Sequence, residues 1–312
     1  MPGIDESSSS AGTQDPDRTS GPNHAVPLRR VRTDLRADSA YLKTVHSQYC
    51  STTDWNIHFL HEGSGKPLIM VHGGGMWLYS FRNNLPQLAR QFSVYALDMP
   101  GYGYTYPLTS RSHEGLDTMR QTLLSFMDAH SLESATLLGH SWGGGWALSF
   151  ASCHPLRVER LILIDSSGLD VPDVLEWELL KRPLIGTFLM AFISRRGVRK
   201  RLRNSFFQPR LVTEDMVREV YLPLRFSHNR KAQLELARRQ SWKETESVLS
   251  ALAHSTLLVW GRNDHYLDVT LTQRFKGLLT NIRVEILENC GHSSHEEYPA
   301  VVNTMVEEFM NS

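Results

Sequence analysis

The sequence has few cysteines and no net charge, and both features limit what the protein does. The three cysteines, Cys50, Cys153 and Cys290, are widely spaced and odd in number, so they predict neither a disulfide framework nor a metal-ligand motif. Such cysteine usage is typical of a reducing compartment and predicts a cytoplasmic protein. Basic and acidic residues both number 33, so the overall charge indicates neither nucleic acid nor an anionic membrane surface as a partner.

Long apolar segments are also lacking. No apolar run reaches the roughly 18 residues that a membrane-spanning helix requires, so we predict no membrane span. Residues 1–26 have early acidic residues and no apolar central region, which excludes a secretory signal peptide. Their Ser, Gly, Pro and Asp content buries too little apolar surface to offset chain entropy, so we predict a disordered tail. Zero net charge favours self-association, and we therefore expect a homodimer as one assembly.

After this tail, short β-rich runs alternate with longer helical patterns. Two of the runs, LILI at 161–164 and LLVW at 257–260, are continuously apolar, which is typical of strands buried on both faces of a parallel sheet. The alternation predicts a doubly wound α/β fold whose ligands bind at the carboxyl ends of the strands. The predicted strands are Trp55–His61, Leu68–His72, Phe92–Asp98, Ala135–Gly139, Arg160–Asp165, Thr256–Trp260 and Arg283–Leu287. The predicted helices are Leu78–Arg90, Leu116–Ala129, Trp142–Cys153, Val269–Leu278 and Ala300–Phe309.

Residues 169–250 interrupt this alternation with helical patterns and no convincing buried strand. We predict a helical cap there, inserted into a core of residues 27–168 and 251–312, since structureless loops of that length are uncommon inside compact domains. Within the cap, residues 181–203 hold many basic side chains and no acid. We interpret them as a solvated helix face above an apolar side; the alternative is a docking face for an anionic substrate tail or a carrier protein. That apolar side is formed by Leu184, Phe188, Leu189 and Phe192. Other apolar cap residues, such as Trp177, are candidates for lining a hydrophobic pocket.

The most informative stretch is Gly139-His140-Ser141-Trp142-Gly143, which lies between an apolar run and a helix-like run. Gly-x-Ser-x-Gly in that context is the sequence of a nucleophile elbow, a sharp turn that presents a serine hydroxyl beside the first N–H groups of a helix. Small residues two positions away allow the strand and the helix to approach closely. We therefore predict that Ser141 is a catalytic nucleophile.

A serine nucleophile requires a base and a third group that orients the base. His292 follows the predicted strand Arg283–Leu287, and Asp264 follows Thr256–Trp260, so both leave the sheet at strand ends. We predict that His292 is the base and Asp264 the orienting acid.

Other residues compete for these roles. Asp165 ends the strand LILID and is an alternative acid. Asp264 itself is also consistent with a turn-capping aspartate, and His292 with a loop histidine that has no partner. His295 lies three residues after His292, and we interpret it as packing beside Glu296 at a helix start.

Acyl transfer also needs two N–H donors for an oxyanion. Trp142 follows the nucleophile and supplies one. The sequence His72-Gly73-Gly74-Gly75 follows an early predicted strand, and we predict that Gly74 supplies the other, with Gly75 next to the substrate and His72 structural. Tyr104 lies in GYGYTYP, at a predicted strand end with Tyr102 and Tyr106, and we predict that it lines the substrate pocket.

These motifs together resemble the α/β-hydrolase superfamily, in particular its cap-bearing group of epoxide hydrolases, haloalkane dehalogenases, C–C bond hydrolases, proline iminopeptidases and small esterases. The resemblance implies a mostly parallel eight-stranded sheet with a helical cap, and a Ser141–His292–Asp264 triad that needs neither metal nor cofactor. It covers about residues 55–310. The motifs that carry it are VHGGG (71–75), LDMPGYGYT (97–105), GHSWGG (139–144), HPLRVERLILIDSSG (154–168), LLVWGRNDHYL (257–267) and NCGHSSHEEYP (289–299).

The serine at position 141 narrows the reaction. Epoxide hydrolases and dehalogenases have aspartate there, because a carboxylate that attacks a saturated carbon leaves an ester that water can cleave. A serine indicates attack on a carbonyl, so we predict a hydrolase of an ester, thioester or lactone with a small, hydrophobic substrate.

Alternative functions remain open from the sequence. C–C hydrolases of dienol ketones resemble the HGGG segment, but they typically have asparagine at the position of His140 and often tryptophan at that of Ser293. Lyases, cyclases and acyl transferases could use the same triad without hydrolysis. A binding protein without turnover is a third class, against which the complete set of Ser141, Asp264 and His292 argues.

Overall fold

A single β-sheet organises the computed structural model, which describes residues 34–109, 115–172 and 174–312. The predicted disordered tail, residues 1–26, lies outside the described residues. Within the described residues the sheet has nine strands, in the order β1-β2-β4-β3-β6-β7-β8-β9, and β5 pairs with β2 off this path. They are β1 (Ser47–Ser51), β2 (Trp55–Glu62), β3 (Pro67–Val71), β4 (Ser93–Leu97), β5 (Tyr106–Pro107), β6 (Ala135–His140), β7 (Val158–Ile164), β8 (Ser255–Gly261) and β9 (Ile282–Leu287). The main path has eight strands, the number that the family resemblance implies. Seven of them match the strands predicted from the sequence patterns, β1 was not predicted, and the two-residue β5 lies off the path.

The sheet is mostly parallel. All neighbours from β4 through β3, β6, β7 and β8 to β9 run parallel, whereas β1, β2 and β5 form antiparallel pairs at one side. Successive side chains of a strand point to opposite faces, and on β3 the pair Ile69 and Val71 enters one apolar cluster while Leu68 and Met70 enter another. The sheet is therefore covered on both faces, which explains the continuously apolar strands in the sequence.

Thirteen helices in the described residues connect or cover these strands. They are α1 (Asp34–Ala37), α2 (Leu85–Leu88), α3 (Leu116–Ala129), α4 (Trp142–Cys153), α5 (Leu175–Lys181), α6 (Pro183–Ala191), α7 (Arg195–Ser205), α8 (Glu214–Tyr221), α9 (Ser227–Arg239), α10 (Lys243–Val248), α11 (Leu271–Leu278), α12 (Ser294–Glu297) and α13 (Pro299–Asn311). Short 3₁₀ turns lie at Tyr41–Lys43, Leu78–Phe81, Pro155–Arg157, Pro209–Leu211, Pro223–Arg225 and Leu249–Ala251.

One predicted helix, Leu78–Arg90, is not continuous. The structure has a 3₁₀ turn at Leu78–Phe81 and a separate short helix, α2, with Pro86 in its first turn. Proline has no N–H to donate to the preceding turn, so it begins a helix more readily than it continues one. The prediction was wrong here because it followed the apolar periodicity and disregarded Pro86.

The segment between β7 and β8 is helical. Helices α5 to α10 lie there, and no strand occurs in its described residues, 169–172 and 174–250. Residues 34–312 form one compact unit, and the boundary between core and cap stays a prediction. The insertion leaves the sheet at the carboxyl end of β7, next to the strand ends that carry the predicted site residues.

Candidate active site

Ser141 lies in a strained turn between β6 and α4. Its backbone has φ 51° and ψ −120°, a conformation that residues with a Cβ rarely adopt. Backbone hydrogen bonds hold the turn: Ser141 N donates to the carbonyl of Ile164, and the carbonyl of Ser141 accepts from Gly144 N, Gly145 N and Ser167 N. The surrounding structure therefore fixes a backbone geometry that is unfavourable by itself.

Two glycines make this turn possible. A Cβ on Gly139 would lie 2.4 Å from the carbonyl oxygen of Gly143, and a Cβ on Gly143 would lie 2.2 Å from that of Val71. Both distances are far below van der Waals contact, so β6, α4 and β3 approach closely only because these side chains are absent.

A continuous hydrogen-bonded chain links Ser141 to His292 and Asp264. The hydroxyl Oγ of Ser141 lies 2.9 Å from Nε2 of His292, and Nδ1 of His292 lies 2.7 Å from Oδ2 of Asp264. The carboxylate can only accept, so Nδ1 carries the proton and Nε2 offers its lone pair to the Ser141 hydroxyl. This is the arrangement in which a histidine can remove the serine proton.

The loop after β8 fixes the Asp264 carboxylate. Its second oxygen, Oδ1, accepts hydrogen bonds from the backbone N–H groups of Tyr266 at 2.7 Å and Leu267 at 3.0 Å. The Asp264 side chain is fully buried. Asp264 therefore caps this turn with one carboxylate oxygen and contacts His292 with the other, so a single side chain has both predicted roles.

Opposing effects act on the pKa of His292. Burial lowers the pKa, but the charge of Asp264 and its hydrogen bond raise it, Asp165 adds to the rise, and the net pKa is above the ordinary histidine value. The environment thus favours the imidazolium that would form when His292 takes the serine proton.

Asp165, the alternative acid, has a different set of partners. Its oxygens accept hydrogen bonds from Gly261 N at 2.7 Å and from Ser294 N at 3.0 Å, and they lie 3.1 Å from Ser294 Oγ. Burial raises its pKa, and the nearby Asp264 raises it further. Asp165 therefore links the end of β8 to the segment after His292, and among the described residues it is Asp264 that hydrogen-bonds the imidazole.

Two further buried histidines, His140 and His295, lie next to His292. His140 donates from Nε2 to the backbone carbonyl of His292 at 2.7 Å. His295 packs on His140, with ring centroids 4.5 Å apart. Burial lowers the pKa of both, that of His295 to about 3, so both are neutral at pH 7. His140 is therefore a tether for the base, a role that the sequence did not reveal.

The glycine loop after β3 faces the helix that follows Ser141. A Cβ on Gly74 would lie 2.9 Å from the Trp142 ring. Within the described part of the chain, neither the Gly74 N–H nor the Trp142 N–H donates a hydrogen bond to another residue. Gly75 has φ +73°, and its carbonyl accepts a hydrogen bond from Arg201 at 2.9 Å.

Two small cavities border Ser141 and His292. Their volumes are about 30 and 40 Å³, on the scale of one water molecule, and Trp177 and Tyr266 line both of them. The first is further lined by Trp142, Ser167, Val174 and Leu267, and the second by Gly74, Met76, His140, Arg201, Leu202, Ser205 and Ser293. Ligand sites are usually several hundred Å³, so a substrate needs more space than these two cavities provide. Trp177 and Tyr266 are candidates for limiting that space, because they border both cavities.

The residues that line the two cavities differ in part from those that the sequence predicted. Tyr104 is buried against Trp77 and Phe226, its backbone N–H donates to Asp98, and it lines neither cavity. Tyr266 and Arg201 line cavities but were not predicted. Tyr266 follows Asp264 by two residues, a proximity that could have indicated it, whereas Arg201 lies within a basic run that we interpreted as solvated.

Comparison with known proteins identifies the family. A family model described as alpha/beta hydrolase fold matches residues 66–192. A 2-hydroxymuconate semialdehyde hydrolase of Pseudomonas sp. (strain CF600) is 29% identical over 262 residues, which cover 80% of this chain and 89% of that protein.

Solved structures have the same fold. A meta-cleavage product hydrolase from Pseudomonas fluorescens IP01 superposes with a TM-score of 0.73 at 23% identity, covering 82% of this chain and 94% of that one. Naproxen esterase from Bacillus subtilis superposes with a TM-score of 0.74 at 21% identity, covering 89% and 96%. With the parallel sheet and the inserted helices described above, these findings show that the chain belongs to the α/β-hydrolase superfamily and is an enzyme of that class.

Proposed function

We propose that the protein is a serine hydrolase that cleaves a carbonyl substrate through an acyl-enzyme. The observation that carries the proposal is the hydrogen-bonded chain from Ser141 Oγ through His292 to Asp264. These three residues come from three different strand ends, so their contact is a property of the fold and not of sequence proximity. Trp142 and Gly74 have N–H groups beside Ser141 that suit an oxyanion.

The proposed reaction has two halves. Ser141 Oγ forms a bond to the carbonyl carbon while its proton moves to Nε2 of His292; the imidazolium then gives that proton to the leaving group as the carbonyl–leaving-group bond breaks. In the second half, water attacks the acyl-enzyme, its proton passes to His292, and then to Ser141 as the acid product leaves. Asp264 holds the imidazole and stabilises its positive charge throughout.

An ester, thioester or lactone with a hydrophobic acyl group suits this site best. A serine alkoxide on a saturated carbon would end in a stable ether, whereas on a carbonyl it gives an ester that water cleaves. The apolar lining supports the hydrophobic acyl group, since Met76, Trp177, Leu202 and Leu267 border the two cavities.

A second candidate is hydrolysis of a C–C bond in an acidic dienol ketone. Arg201 favours it, because its guanidinium lies at the second cavity and against Gly75, where it could attract a substrate carboxylate. The relative from Pseudomonas sp. is named as a hydrolase of 2-hydroxymuconate semialdehyde. His140 and Ser293 stand where such enzymes typically have asparagine and often tryptophan, which favours the first proposal.

A substrate panel separates the two candidates. We would assay p-nitrophenyl esters, thioesters, lactones and acidic dienol ketones with the wild type, Ser141→Ala and Arg201→Met. We expect turnover of neutral esters by the wild type and by Arg201→Met, and none by Ser141→Ala. Dienol-ketone turnover that falls by about 10–100-fold in Arg201→Met, with ester turnover absent, would replace the first proposal by the second.

Two further expectations stay proposals. We propose that the protein acts in the cytoplasm, from its cysteine usage, and that it forms a homodimer, from its zero net charge.

A further inference from the structure

Helix α6 exposes an apolar surface. Among its residues Pro183–Ala191, only Gly186 and Met190 are buried. The exposed fraction is 87% for Leu184, 63% for Phe188 and 42% for Leu189, and Phe192 at the end of the helix is 70% exposed. We expected these side chains to form the apolar underside of a solvated cap. The structure instead directs them to solvent, where such a cluster is unfavourable.

The packing of α6 explains this exposure. A Cβ on Gly186 would lie 2.2 Å from the carbonyl oxygen of Leu180, so α6 approaches α5 closely at this glycine. Arg238 of α9 also donates a hydrogen bond to the carbonyl of Pro183, at the start of α6. Gly186 and Met190 are four residues apart and form one narrow stripe of contact. The rest of the helix protrudes as a convex apolar ridge, which we call the α6 ridge: Leu184, Ile185, Phe188, Leu189 and Phe192.

Basic residues flank the α6 ridge at both ends. Lys181 and Arg182 precede the helix, and Arg195 and Arg196 follow it. Residues 181–203 contain no acid. Arg182, Arg195 and Arg196 are exposed, and among the described residues none of these three forms an ion pair. Two acidic residues pair with other basic residues of this segment: Glu178 with Lys181, and Glu214 with Arg199.

We infer that the α6 ridge docks on an anionic phospholipid surface. Apolar side chains on one helix with basic residues around them are the composition that inserts into the headgroup region of such a bilayer. No described helix is long and apolar enough to cross a membrane, so the contact is interfacial. This inference goes beyond the proposed function and does not depend on Ser141.

The charges argue against a second copy as the occupant. A symmetric dimer through the α6 ridge would bring the basic ends of one helix against the basic ends of its partner, in either helix orientation. An acidic protein partner would need a groove to receive a convex ridge, whereas a lipid surface needs no matching shape. An anionic bilayer satisfies both the charge and the exposed apolar side chains.

Vesicle co-sedimentation tests this inference with the full chain. We expect binding to vesicles of equal parts phosphatidylcholine and phosphatidylglycerol, weaker binding to phosphatidylcholine alone, and release at high salt. The pair Phe188→Ser and Phe192→Ser should lower the partition coefficient by about 100-fold. The pair Arg182→Gln and Arg196→Gln should lower it by about 30-fold.

Matched controls come from exposed positions outside the segment 169–250. Leu156→Ser removes an apolar side chain that is 92% exposed before the amino end of β7, and Arg90→Gln with Lys276→Gln removes two exposed charges. Both controls should bind as the wild type does, as should Ser141→Ala. Circular dichroism checks that every variant is folded.

Three results would overturn the inference. The first is no binding to the anionic vesicles at low salt. The second is binding that the controls reduce as much as the α6 variants do. The third is a dimer in sedimentation velocity that Phe188→Ser with Phe192→Ser dissociates, without any vesicle binding by the wild type, since a second copy would then cover the ridge.

Discussion

At the scale of single residues, the candidate site is organised by the hydrogen bonds of His292. His292 contacts the Ser141 hydroxyl on one side and the Asp264 carboxylate on the other, and its backbone carbonyl is held by His140. The sequence predicted the first two contacts, because a glycine-flanked serine and two strand ends restrict the choice. It could not predict the tether from His140, since no motif assigns a partner to the side chain of a histidine at that position.

Asp264→Asn tests the balance of effects on the His292 pKa. The neutral imidazole is the active base, and Asp264 raises the pKa of His292, so activity should fall as the pH drops through that raised pKa. Without the carboxylate, we expect the acid limb of the kcat/KM profile to move to lower pH and kcat to fall by about 10⁴-fold. Asp268→Asn, an exposed aspartate in the same loop, is the control and should change neither. An unmoved acid limb in Asp264→Asn would show that another group sets it.

At the scale of elements, regular strands and helices were predictable where one pattern dominates. The structure has α3 and α4 at Leu116–Ala129 and Trp142–Cys153, the same bounds that apolar periodicity predicts. Strand β1 was not predicted, because SQYCS is largely polar and only partly buried at the sheet edge. The apolar side chains of α6 were expected on the inner side of the cap, but helix periodicity gives only the faces of a helix and not what each face contacts.

Trp177→Ala tests how α5 limits the substrate. The Trp177 ring lies 4.4 Å from that of Trp142 and borders both cavities at Ser141. Its removal should join the cavities and raise kcat/KM for long-chain relative to short-chain p-nitrophenyl esters by about 10-fold or more. Trp177→Phe keeps an aromatic ring and should give an intermediate ratio. An unchanged chain-length preference would mean that Tyr266 or a movement of the whole cap controls access.

At the scale of the whole molecule, the net charge and the distribution of charged residues along the chain lead to different conclusions about partners. The net charge is zero, which by itself indicates no anionic partner, yet the segment 181–203 concentrates basic residues around the exposed α6 ridge. A mostly parallel eight-stranded sheet could be expected from the family resemblance, and the structure confirms it with one short strand added. The size of the two cavities at Ser141 could not be predicted from the sequence, because it depends on the orientation of Trp177 and Tyr266, which line both.

Covalent labelling tests the central proposal, a nucleophilic Ser141, most directly. We would treat the wild type and Ser141→Ala with a fluorophosphonate and measure intact masses and the labelled peptide. The proposed role of Ser141 predicts a single adduct on Ser141 of the wild type, no adduct on Ser141→Ala, and labelling that slows as His292 becomes protonated. Equal labelling of the folded Ser141→Ala variant, or an adduct on another residue of the wild type, would contradict it.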